Sequence, residues 1–130
     1  MTGRAIADTS LFIARKTGRL LDPYPEDREV AVSIITIAEL ELGVLAAAEP
    51  RTRAARLQTL RDAEQLSALP IDRAVASKFA TLVVEMRAAG RGRLGVQDGW
   101  IAATALAHDA DLLTQDADFD DVPSLRVVKL

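Results

Sequence analysis

Four acids stand where the pattern of the chain changes, and their types and positions suit one kind of chemistry. Asp8 closes the apolar run "RAIAD", Glu39 follows Thr36 at the start of a helical pattern, Asp98 opens "DGWIAATALA", and Asp116 stands two residues after "DLLT". The chain has no cysteine and a single histidine, so its available ligands are oxygens. Oxygen donors select a hard divalent cation such as Mg²⁺ or Mn²⁺, which keeps waters and bridges to phosphate. Asp98 poses the sharpest question. At 3.6 residues per turn it shares a face with Ile101, Ala102 and Ala105, the small apolar side that packs inward. An ionised acid on such a face is costly unless a cap or a cation meets it.

Each acid also has a purely structural reading. Asp8 before Thr9 caps a helix, Asp98 is a first-turn acid favoured by the helix dipole, and Asp116 opens the turn "DADFDD". Thr36-Ile37-Ala38-Glu39 reads as a capping box, with the glutamate bonding back to the backbone. These readings weaken when the acids are taken together. Two carboxylates about 4 Å apart repel by ~4 kcal/mol at an effective dielectric near 20, so several on one edge require a cation.

The elements that must position these acids alternate. Apolar runs at 4–8, 29–36, 66–71, 111–114 and 125–130 predict strands. The pattern predicts helices over 9–18, 37–49 and 51–65, a long one from the Asp72 cap to Gly90, and one over 95–107. Five short strands separated by helices call for an α/β fold with a parallel five-stranded sheet covered on both faces. In such a sheet ligands bind beyond the carboxyl ends of the strands. Asp8, Glu39 and Asp116 follow strand ends, and Asp98 begins a helix that returns from that edge, so all four converge on one rim.

The pieces "IADTSLFI", "ITIAELELGVL" and "DGWIAATALAHDADLLTQDADF", in that order and spacing, resemble the PIN-domain ribonucleases, most closely the VapC toxins of bacterial toxin–antitoxin pairs. The resemblance spans essentially the whole chain. It implies a three-layer α/β/α PIN-like fold over residues 1–130 and an endoribonuclease dependent on Mg²⁺ or Mn²⁺. It also implies a homodimer and a cognate VapB-like antitoxin. The matching acids Asp8, Glu39, Asp98 and Asp116 would bind metal, with the Thr114 hydroxyl assisting. Asp118 also falls in the motif, and the resemblance leaves open whether it or Asp116 carries the fourth role.

Composition bounds the reading without deciding it. The formal charge is -3, but neutralising four carboxylates would make it positive, and Lys16, Lys78 and Lys129 are the only basic residues that are not arginine. The first nineteen residues hold no apolar stretch long enough for a signal peptide or membrane span, and the chain is 49% hydrophobic, which predicts one cytoplasmic domain. Gly90 to Gly95 matches G-x-G-x-x-G but follows a helix instead of a strand, so it is no dinucleotide site. Arg87, Arg91 and Arg93 around it could equally touch RNA phosphates or form a solvated basic loop. His108 has no serine or cysteine partner in a triad arrangement. Trp100 faces away from Asp98, as packing or as a dimer surface. Leu11, Phe12, Leu42 and Leu45 predict an apolar surface that an antitoxin helix would cover. A housekeeping RNA-processing nuclease is the near alternative. A phospho-receiver-like domain, using Lys129 as its lysine, is the distant one.

Overall fold

The strands are short, and two of them end directly at a side chain that caps the next helix. In a computed structural model describing residues 3–90 and 94–130, β1 is Gly3–Ala7 and Asp8 caps α1, Thr9–Lys16, by accepting from the Ser10 amide. Gly18, at φ +80°, closes that helix in the left-handed conformation that glycine adopts without strain. β2, Arg28–Ser33, runs into α2, Ile34–Ala46. α3, Pro50–Glu64, has its proline in the first turn, where the missing amide has no cost. β3, Ser67–Leu69, leads to α4, Arg73–Ala88, capped by Asp72. α5, Val96–Ala107, is followed by β4, Asp111–Thr114, a 3₁₀ turn at Ala117–Phe119, and β5, Val127–Lys129.

All four strand pairs are parallel, in the order β3-β2-β1-β4-β5. The order reverses between β1 and β4, where Ala7 lies opposite Leu113. Alternate residues feed two cores. Ala5, Ala7, Val32 and Leu113 pack with Leu11, Phe12, Leu40 and Leu60 of α1, α2 and α3. Ile6, Ala31 and Leu112 pack with Leu82, Met86, Ile101 and Ala105 of α4 and α5. The result is the expected three-layer α/β/α arrangement.

Three details differ from expectation. β2 stops at Ser33, three residues before the end of the apolar run, because the Ser33 hydroxyl accepts from the Ile35 amide and starts α2 there. Thr36 is therefore inside the helix, fully buried, and the predicted capping box does not form. α5 has no solvent face through its middle: Gly99 and Ile101 to Ala105 are all buried, as befits a helix apolar nearly all round. A Cβ on Gly99 would stand 3.0 Å from the Phe79 ring, so glycine is what lets α4 approach. Phe79 then stacks on Trp100 with centroids 3.8 Å apart, which makes the tryptophan a packing residue. Finally, Leu11 and Phe12 are core residues, whereas Leu42 and Leu45 are 67% and 73% exposed. The expected apolar surface is thus confined to the α2 side. No described helix is long and apolar enough to cross a membrane.

Candidate metal centre at the carboxyl edge

The two edges of the sheet treat their acids in opposite ways. At the amino edge, burial pushes the Asp111 carboxyl up, but bonds from Arg126 at 2.6 Å and Arg28 at 3.2 Å outweigh it and hold the group below its usual range. At the carboxyl edge the balance is reversed. Burial, then the charges of Asp8, Asp116, Glu39 and Asp118 in falling order, push the Asp98 carboxyl up to about 6 from the ordinary 3.8. Among the described residues, no cationic side chain offsets that crowding.

The crowding follows from the elements. Asp8 and Thr114 end the adjacent strands β1 and β4 at the point where strand order reverses, the place where open α/β sheets bind ligands. The Asp8 amide donates to Leu113 O at 2.8 Å, and the Thr114 hydroxyl donates to Asp8 Oδ2 at 2.8 Å. Asp8 is 3% exposed and Thr114 fully buried, so this pair is held from all sides. The Asp116 amide donates to Thr114 Oγ1 at 2.9 Å, and Asp116 Oδ1 accepts from the Asp118 amide at 2.9 Å, which winds the 3₁₀ turn and turns Asp118 toward Asp98. Carboxylate oxygens of Asp98, Asp116 and Asp118 all lie within 4.8 Å of one another. Asp118 therefore stands beside Asp116 as its companion. Asp8 and Glu39 are outside this trio but close enough to act on Asp98. Glu39 accepts from Thr9 Oγ1 at 2.8 Å and not from the Thr36 backbone, so its carboxylate points across to α1 and away from the start of its own helix.

Several groups escaped the sequence reading. Ser10 accepts from the Gln115 amide, and Lys129 Nζ holds the Asp116 carbonyl at 3.0 Å and Asp120 Oδ1 at 2.8 Å. Lys129 thus grips the turn that carries two of the acids, a different duty from a receiver's lysine on Asp8. The "TS" after Asp8 was the available signal for the hydroxyls, and nothing local marks the grip of Lys129 on this turn. Arg87 is exposed in the last turn of α4, on a groove of about 280 Å³ shared with Leu94, Gly95 and Val96. Arg91 and Arg93 lie outside the described residues. His108 caps the far end of α5, where its Nδ1 accepts from Arg4 at 3.0 Å, and it takes no part in the acid cluster.

Comparison with known proteins places the fold in a family. The PIN domain family model matches residues 5–125. Ribonuclease VapC4 of Mycobacterium tuberculosis is 42% identical, covering 98% of this chain and 97% of its own. Ribonuclease VapC5 of the same organism is 39% identical over 96% of this chain and 94% of its own. Among solved structures, the M. tuberculosis toxin–antitoxin complex VapBC-5 superposes with a TM-score of 0.84 at 38% identity, covering 98% of both chains. VapBC2 from Rickettsia felis, bound to a promoter DNA fragment, shares the fold with a TM-score of 0.79 at 20% identity, covering 97% of this chain and 98% of its own. With its acids gathered where strand order reverses and nearly all of its length matched, this chain belongs to the PIN-domain family and, within it, to the VapC ribonucleases.

Proposed function

We propose that this chain is a divalent-metal-dependent endoribonuclease acting as the toxin of a toxin–antitoxin pair. The observation that carries the reading is the carboxyl of Asp98, raised to about 6 by burial and by four other acids brought from distant parts of the sequence. Such crowding is a standing cost to the metal-free fold, and one divalent cation removes it. The donor set fits: three carboxylates within 4.8 Å of one another, all oxygen, select Mg²⁺ or Mn²⁺ over softer ions. Asp98, Asp116 and Asp118 would hold the ion, with Asp8 and Glu39 offering further carboxylate oxygens from the acidic wall. A bound ion supplies a water that ionises near neutral pH and offsets charge on the scissile phosphate and leaving oxygen. Thr114 orients Asp8 for this task, and Arg87 reaches RNA phosphates at the rim. RNA as substrate puts the site of action in the cytoplasm.

The partner reading draws on the relatives. VapBC-5 is a toxin–antitoxin complex, and here exposed Leu42 and Leu45 offer apolar area for an antitoxin helix. A homodimer is the form proposed for the free chain, checked by its mass in solution.

The deciding experiment is cleavage of an unpaired RNA, since proteins read RNA chiefly in such regions. Cleavage is expected with Mg²⁺ or Mn²⁺ and not in excess chelator. Asp98→Asn and Asp116→Asn should each fold and lose at least about tenfold in rate, ~1.4 kcal/mol of barrier. Equal cleavage in chelator, or full activity in both variants, overturns the reading.

A further inference from the structure

Hydrogen counting in the site determines the direction of its bonds. Thr9 Oγ1 lies 2.8 Å from Glu39 Oε1 and 2.9 Å from Thr36 Oγ1. A carboxylate only accepts, so the one hydroxyl proton of Thr9 goes to Glu39. The Thr9 oxygen must then accept, and Thr36 must donate. The chain runs Thr36 to Thr9 to Glu39 in one sense only. The same logic gives a second chain: the Gln115 amide donates to Ser10 Oγ at 3.1 Å, Ser10 to Thr114 Oγ1 at 3.1 Å, and Thr114 to Asp8 Oδ2 at 2.8 Å. Each chain ends on an acid of the wall, and each donor is polarised by the one behind it.

We infer that Thr9 is a positioning residue for Glu39: its hydroxyl, polarised by Thr36, ties down Oε1 and leaves Oε2 for the cation. The inference rests on the metal reading above. Glu39 needs such a tie. It is a flexible side chain on the second turn of α2, and the negative field of Asp98, Asp116 and Asp118 pushes it outward before a cation arrives. Asp8 is anchored by a buried threonine, whereas Glu39, being longer and half-buried, depends on α1 reaching across to it. The unbroken stretch Asp8-Thr9-Ser10 therefore serves three acids: Asp8 directly, Glu39 through Thr9, and the Asp116 loop through Ser10 and Gln115.

The test is Mn²⁺ binding to the full chain, read from the electron paramagnetic resonance signal of the free ion, beside thermal unfolding in chelator. Thr9→Val keeps shape and removes the donor. It should weaken Mn²⁺ about tenfold, the scale seen when a ligand's supporting hydrogen bond is lost. Thr9→Ser should bind within about twofold of the parent. Thr36→Val, which leaves Thr9 free to donate, should lose less affinity than Thr9→Val. A role in packing alone predicts the opposite order, because Thr36 is the fully buried member. Should Thr9→Val not fold, Thr9→Ala makes the same comparison. Parent-like Mn²⁺ binding by the variant, or a larger loss in Thr36→Val, overturns the role of Thr9 alone. A parent that binds no Mn²⁺ overturns the metal reading and this inference with it.

Discussion

Asp98 shows how much a single residue can reveal about the surface it occupies. Its folded carboxyl titrates near 6, and its ordinary value is 3.8. Between those values the unfolded chain releases the proton while the folded chain keeps it, so the metal-free protein loses stability as pH rises through that window and carries the full penalty above it. The melting temperature in chelator, compared between the parent and Asp98→Asn at pH 4.5 and pH 7.5, should show a gap that opens in favour of the asparagine variant at the higher pH. An equal gap at both pH values would mean that neither burial nor the other acids raise the Asp98 carboxyl. This residue was legible from its place on the apolar face alone. Glu39 was legible as an acid on the rim, but its partner was not: Thr9 is 30 positions away, and the nearby Thr36 offered a more local explanation. Side-chain pairs across elements are invisible to any rule that counts along one helix.

Among the elements, the apolar periods located every strand and helix, and the errors fell at their ends. β2 was read three residues too long because Ile34, Ile35 and Thr36, all β-branched, suit a strand as well as a helix. Ser33 decides the matter by capping. Its side chain is completely buried, accepts from Ile35 N at 3.1 Å, and lies 3.5 Å from Thr104 Oγ1 of α5. Ser33→Ala should therefore cost about 1 kcal/mol, within the range of lost N-caps, measured by urea unfolding. A change of less than a few tenths would leave the start of α2 to tertiary packing. The register of α2 also sets where Glu39 points, so the same variant checks whether capping and site geometry are separable. The turn at Ala117–Phe119 was legible in part: Asp116 opens it by bonding its own backbone, as expected, whereas the grip of Lys129 from β5 crosses elements and left no local signal.

At the scale of the whole molecule, the charge distribution matters more than its total. Arginines satisfy the acid at the amino edge, whereas no described cation offsets the crowding around Asp98 at the carboxyl edge, so a formal charge of -3 hides an uneven distribution. The exposed leucines on α2 are the other global feature. Leu42→Asp with Leu45→Asp should leave folding and RNA cleavage near the parent, because both side chains are mostly in water. It should abolish co-purification with the antitoxin, whose burial of each leucine would contribute about 1.5–3 kcal/mol. Retained complex in the double variant would put the partner elsewhere. A last consequence follows from the pairing of β1 with β4. Asp8 and the hydroxyl that orients it are 106 residues apart in the sequence, and the acids at 116 and 118 come later still. During synthesis from the N-terminus, the cluster cannot assemble until the chain has emerged past Asp118. The order of translation therefore delays the assembly of the acid cluster.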